Sequence, residues 1–216
     1  MWWSNEMIKY YERAASISSF HKELASLIEG VIDKDESVAE LGCGLGYLSA
    51  ELASRGYNIT GIDNDDAAIA FAKEKFPSVR FIKEDAYKEE IKADVSLCVF
   101  FGRLLEEDNL TSLLSTASSR LIYLTNEHNR EANPSFDKSK ALSDKLKRRG
   151  IKHSVSYHTL NFDQPLIDEE DAKAFLSSSY RKDIPLHLIP SNRSDYRYLL
   201  PKVKAFGIFT IHKEEN

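Results

Sequence analysis

An apolar run and an acid lead into three glycines at alternate positions in Val38-Ala39-Glu40-Leu41-Gly42-Cys43-Gly44-Leu45-Gly46-Tyr47. This pattern predicts a buried strand turning sharply into a helix. Glycine has no Cβ and adopts positive φ freely, so a ligand can lie almost against this backbone. The start of the following helix adds unbonded N–H groups and the positive end of a dipole. Two more acids close the next two apolar runs, Asp63 in Gly61-Ile62-Asp63-Asn64 and Asp85 in Lys83-Glu84-Asp85-Ala86. A carboxylate at Asp63 can accept from both hydroxyls of a ribose, giving two charge-assisted hydrogen bonds. Asp63 could instead cap the next helix, although Asp65 and Asp66 could do that equally well. An acid after a strand is common in turns. Asp85 therefore gains its meaning from order: glycine turn, Asp63 and Asp85 end three successive predicted strands.

The glycine spacing discriminates between ligands. The dinucleotide fingerprint is G-x-G-x-x-G, with its third glycine serving helix–strand packing. Here Tyr47 stands at that position and the third glycine comes one residue early, at Gly46. The pattern E-x-G-x-G-x-G resembles the first motif of the class I S-adenosylmethionine-dependent methyltransferases, and the resemblance extends over residues 37 to about 125. It implies S-adenosylmethionine as cofactor. By that resemblance Glu40, Gly42, Cys43, Gly44 and Gly46 surround the methionine part, with Glu40 toward its amino group. Asp63 and Asn64 fall at the ribose, Asp85 and Ala86 at the adenine. A hydrogen bond to the glycine loop is the plain alternative for Glu40.

The acceptor side is less legible. The fourth predicted strand ends Cys98-Val99-Phe100-Phe101-Gly102-Arg103 and lacks the Asp/Asn-Pro-Pro-aromatic motif of the family members that methylate nucleobase amines. Phe101 would border the sulfonium and acceptor, or belong to the core. Methyl transfer needs mostly alignment of donor and acceptor, with a general base when the nucleophile carries a proton. Thr125-Asn126-Glu127-His128-Asn129 follows the fifth strand, so His128 oriented by Glu127 is a candidate base; a polar surface loop without a role is the alternative. Tyr11 and His21 are further candidates, because N-terminal segments commonly lid the cofactor in this family. An aromatic at helical spacing is equally a core residue.

Composition narrows the partners. The chain has 216 residues, 42% hydrophobic, with a formal net charge of −5. That charge argues mildly against a broad nucleic-acid footprint. Lys145-Leu146-Lys147-Arg148-Arg149 is the one basic run, and it reads as the last turn of a helix stopped by Gly150. Cys43 and Cys98 form no C-x-x-C pair, so no metal site or disulfide framework is expected. No apolar run reaches the ~18 residues of a membrane span, and the first residues do not read as a secretory leader. The expected setting is cytoplasmic, the expected partner a small-molecule substrate.

These residues need elements to position them. Residues 5–31 read as helix with a break near Ser16–Ser19. Strands follow at 37–41, 58–62, 79–83, 94–100 and 120–125, with helices at 47–54, 65–75, 104–117 and 136–149. Such alternation predicts βαβ units and a mainly parallel sheet. Strands at 153–162 and 205–212 complete it, separated by a Pro-punctuated stretch with one short helix at 168–178. The expected architecture is a Rossmann-like three-layer α/β sandwich. It has a mainly parallel seven-stranded sheet, an antiparallel last strand and an N-terminal helical lid. The expected organisation is a single methyltransferase domain over 1–216, divided into a cap (1–34), a cofactor-binding core (35–150) and C-terminal strands (151–216) with an insertion at about 165–202.

Overall fold

The computed structural model describes residues 3–87, 92–102, 104–127, 135–178 and 187–213. Two helices open the chain, α1 (Asn5–Ile17) and α2 (Phe20–Ile28). The Ser4 hydroxyl caps α1 by accepting from the Met7 N–H, and the extended Ser18 separates the two helices. Alternation then begins with β1 (Ser37–Leu41), α3 (Tyr47–Ser54), β2 (Asn58–Asp63), α4 (Asp66–Lys75), β3 (Arg80–Lys83) and β4 (Ala93–Val99). It continues through α5 (Glu107–Ser115), β5 (Ala117–Leu124), α6 (Asp137–Arg148) and β6 (His153–Asn161). The remaining elements are β7 (Gln164–Leu166), α7 (Glu169–Ser178), β8 (Ile189–Arg193), β9 (Tyr196–Leu200) and β10 (Val203–His212).

The main sheet has seven strands in the order β3-β2-β1-β4-β5-β10-β6. β1 to β5 pair in parallel, and β10 is antiparallel to both its neighbours. Side-chain alternation splits the core into two layers. Val38, Val95, Leu97, Ile122, Leu124, Phe206 and Ile208 face α2 and α3. Ala39, Leu41, Cys98, Leu121, Tyr123, Phe209 and Ile211 face α5 and α6. Burial on both faces is what makes the central strands nearly continuous apolar runs.

Two expectations need correcting. The helix expected from Leu104 begins at Glu107, because residues 104–106 form a turn. That turn is held by the buried Lys145, whose Nζ donates to the carbonyls of Leu104 (3.2 Å) and Leu105 (2.8 Å). Lys145 is therefore not simply an exposed cation at the end of α6. The second correction concerns the insertion, which contains more than a helix. β7, β9 and β8 form a separate antiparallel sheet. Pro165 and Pro190 sit inside its outer strands β7 and β8, where the missing N–H does least harm.

That small sheet packs on α1. The Gln164 amide donates to the Tyr10 carbonyl (3.1 Å). Arg13 forms a two-pronged pair with Asp171 (3.0 and 2.8 Å), and the Tyr10 hydroxyl donates to the same carboxylate (3.1 Å). The N-terminal cap and the C-terminal insertion thus meet.

Gly46 tests how tightly the turn is built. Its φ is +76°, and a Cβ there would stand 2.6 Å from Phe81 ring atoms and 3.0 Å from the Ala72 Cβ. Gly56 has φ +90° but open space around it. Gly56→Ala should cost about 1–2 kcal/mol from backbone strain alone. Gly46→Ala should cost about 2–5 kcal/mol, because overpacking adds to the strain. Urea denaturation of the two variants checks this, and equal losses would show that the α4–β3 layer yields freely.

Candidate functional site

The glycine turn is fastened to the end of β2. The N–H groups of Gly42 and Cys43 donate to the Ile62 carbonyl at 2.8 and 2.9 Å. The Gly44 N–H donates to Asp63 Oδ2 at 2.8 Å, and Asp63 Oδ1 accepts from the Asp65 N–H at 2.9 Å. Gly42, Gly44 and Gly46 all have left-handed φ, at +73°, +53° and +76°. Asp65, not Asp63, caps α4, accepting from Ala67 and Ala68 at 2.9 and 3.2 Å. Asp63 is thus free of that duty and stands half-buried at the turn.

A cavity of about 140 Å³ lies over this turn, walled by Glu40, the glycine backbone, Tyr47 and Phe100 and roofed by Trp3, Tyr11 and His21. The Tyr11 hydroxyl and His21 Nε2 are 2.9 Å apart. His21 stacks on Tyr47 with ring centres 5.1 Å apart. Trp3 meets Tyr11 edge-on at 5.5 Å and lies where a Cβ on Gly44 would come within 3.2 Å of its ring. Tyr11 and His21, expected as lid residues, therefore do face the glycine turn. Trp3 and Tyr47 were not expected there. Tyr47 follows Gly46 directly in the chain, whereas only the fold brings Trp3 beside the turn.

Glu40 is 3% exposed and bonds the Ser49 hydroxyl of α3 rather than the glycine loop. Burial, reinforced by the nearby Asp63, outweighs that hydrogen bond and raises its carboxyl from 4.5 to about 7. The Glu40 charge in turn helps raise Tyr11, Cys43 and Cys98 above their ordinary values, each chiefly by burial. Burial lowers His21 to about 4, so its ring is neutral near pH 7.

The other expected residues divide. Asp85 is exposed and accepts from the Tyr87 N–H (3.0 Å), while Ala86 is buried. Asn64 is exposed at the tip of the β2 turn. Phe101 lays its ring directly on Gly42, where a Cβ would collide with it, and faces Tyr87 with ring centres 5.8 Å apart. Glu127 is committed to α6. Its carboxylate accepts from the N–H groups of Lys138 (3.1 Å) and Ser139 (2.8 Å) and from the Ser139 hydroxyl (2.6 Å). It serves as the cap that Phe136, at the N-cap position, has no side-chain oxygen to supply. His128 lies outside the described residues. No cluster of potential metal ligands occurs among the described residues.

Comparison with known proteins fits this geometry. A family model described as "Methyltransferase domain" matches residues 38–122. The chain is 30% identical over 96 residues to the ubiquinone/menaquinone biosynthesis C-methyltransferase UbiE of Campylobacter jejuni, covering 38% of this chain and 41% of that protein. It is 40% identical over 60 residues to an uncharacterised RNA methyltransferase of Protochlamydia amoebophila, covering 26% of this chain and 14% of that one. The alignments thus span less than half the length of these curated relatives. The fold matches the magnesium protoporphyrin IX methyltransferase of Synechocystis with bound SAH, at a TM-score of 0.56 and 14% identity, covering 98% of this chain and 89% of that chain. Residues 38–122 thus match a methyltransferase domain, and the seven-stranded sheet has the fold of the solved methyltransferase structure it resembles.

Glu40 and His21 oppose one another in pH dependence. The folded chain binds the Glu40 proton more tightly than the unfolded chain, so this group costs stability progressively as pH rises from about 4.5 to 7. His21 binds its proton less tightly when folded, so it adds stability as pH rises from about 4 to 6.5. Glu40→Gln removes the first effect and leaves the second. Its stability relative to the parent should rise by about 3 kcal/mol between pH 4.5 and 7.5. Urea denaturation across that range reads it, and parallel pH profiles for parent and variant would mean that Glu40 titrates normally.

Proposed function

We propose that this protein transfers the methyl group of S-adenosylmethionine to a small-molecule acceptor. The observation that carries the reading is the alignment of Glu40 with the glycine turn, Asp63 and Asp85 along one rim of the sheet, at the ends of β1, β2 and β3. The residues fit the cofactor. Three left-handed glycines admit direct contact with the turn, contact made at Gly42 and Gly44 by the Phe101 and Trp3 rings, and a buried carboxyl beside it suits a cationic amine. Asp63 keeps lone pairs for ribose hydroxyls after accepting from Gly44 and Asp65. Asp85, exposed at the next strand end, suits the exocyclic amine of adenine, with Ala86 beneath the ring. When bound, S-adenosylmethionine supplies an electrophilic methyl group on a sulfonium.

The chain's own residues then do four things. Glu40, drawn to its carboxylate form by a neighbouring cation, orients the donor. Tyr11, His21 and Trp3 cover the turn and exclude water. Phe101 and Gly102 border the donor from the acceptor side. A neutral His21 can accept a proton, and Tyr11 at 2.9 Å can relay one to it. Two of the relatives named above, UbiE and the magnesium protoporphyrin IX methyltransferase, support a small acceptor, and the Protochlamydia protein is named an RNA methyltransferase. The net charge of −5 and the absence of a Pro-Pro motif after β4 favour it over a nucleobase amine. Two free buried cysteines suit a cytoplasmic setting, and no helix among the described residues is long and apolar enough to cross a membrane.

Thermal melting with S-adenosylhomocysteine and with NADH tests the donor. A ligand at 100 times its Kd adds about 2.7 kcal/mol; a shift with NADH alone would refute the reading. Asp63→Ala should weaken S-adenosylhomocysteine by about 1.5–3 kcal/mol in calorimetry, and unchanged affinity would displace the ribose site. Tight RNA binding that survives about 200 mM salt would favour a macromolecular acceptor instead.

A further inference from the structure

A second cavity, of about 380 Å³, opens beside the first, between the carboxyl ends of β4 and β5. Phe100 belongs to the walls of both cavities. Among the described residues it is also the one non-glycine residue with positive φ, at +55°. A bulky side chain in that region is strained, and such strain persists only where the surroundings over-determine it, commonly at functional sites. Here the Phe100 N–H donates to the Leu124 carbonyl at 3.2 Å. Its ring meets Phe206 edge-on at 5.5 Å, and Lys204 Nζ lies 5.3 Å from the ring centre. The ring is thereby held at the end of β4, between the glycine turn and the second cavity.

The second cavity has a chemical character of its own. Leu104, Tyr123 and Leu142, all buried, give it an apolar interior. Asn126 and Lys138 stand at its mouth with Glu106, which accepts from the Asn109 amide at 3.2 Å. Lys138 Nζ donates to the Asn126 carbonyl at 2.9 Å, and an ammonium has three protons to donate. Aromatic walls favour planar rings through offset or edge contacts. A polyhydroxylated ligand would leave its polar groups unpaired against Leu104 and Leu142. The volume lies at the small end for ligand sites, enough for one or two rings and too small for a macrocycle.

We infer that this cavity takes a planar one- or two-ring acceptor bearing an anionic substituent. The ring packs against Phe100, the substituent meets Lys138, and Phe100 sets how far the ring stands from the donor. This rests on the methyl-transfer reading for the role of the ligand but not for its binding.

The test uses naphthalene-2-carboxylate, naphthalene-2-methanol and decahydronaphthalene-2-carboxylate, followed by saturation-transfer NMR and calorimetry on the full chain. The naphthoate should bind, and the saturated carboxylate at least roughly 3-fold more weakly. Phe100→Leu should weaken the naphthoate roughly 3–10-fold. Lys138→Gln should weaken it roughly 10-fold while leaving the alcohol unchanged. Phe100→Gly removes ring and strain together, so it serves if Phe100→Leu folds poorly. Failure of the naphthoate to bind, equal binding of the saturated carboxylate, or naphthoate affinity indifferent to both substitutions would overturn the inference. Calorimetry with S-adenosylhomocysteine on the same samples judges the donor separately. Loss there with the naphthoate pattern intact would refute methyl transfer and leave the ring site standing.

Discussion

The Asp63 carboxylate holds the end of β2 to two turns at once. One oxygen takes the Gly44 N–H at 2.8 Å and the other the Asp65 N–H at 2.9 Å. Three consequences follow from that bridge. The glycine turn is pinned against β2. Asp65 is placed to cap α4. The Asp65 carboxylate in turn accepts from the Trp3 N–H at 3.2 Å, which draws the N-terminal segment over the turn. A charged acceptor is suited to this work because its bonds to N–H donors are stronger than neutral ones.

The lid over the turn is held from both ends of the chain. α1 carries Tyr11 toward the cavity on one side and Tyr10 and Arg13 toward the insertion on the other. Arg13 and Asp171 are only 13% and 14% exposed, so their pair is largely shielded from water. Breaking it by removing one partner would leave the other charge poorly solvated. The insertion, read as a Pro-punctuated connection, is therefore the buttress for the helix that covers the site. This links residues more than 150 positions apart and gives the small sheet β7-β9-β8 a reason to exist beside a complete main sheet.

The site's electrostatics come from burial more than from charge pairing. Glu40 and His21 are both pushed toward their neutral forms by the same enclosed space. A carboxyl near its midpoint at neutral pH is poised to ionise when a cation arrives. A neutral imidazole beside a tyrosine hydroxyl is poised to accept a proton.

Much of this was legible in the chain. Alternating apolar runs and helical spacings determined the sheet, because burial on two faces leaves strands no other composition. The three alternate glycines marked the sharp strand-to-helix turn, because a left-handed backbone admits few residue types. What the sequence did not reveal lies in contacts between distant segments. Nothing local marks Trp3 as the cover of Gly44, Lys145 as the anchor of the 104–106 turn, or Glu127 as the cap of α6. The strands of the small sheet are short and interrupted by proline, so their alternation is too brief to read. Phe100 carries no motif either, and only its backbone angle and its place between two cavities distinguish it. Periodicity and glycine chemistry are local constraints and are written in the chain. Which side chains meet across the rim is decided by packing, and packing exists only once the fold is closed.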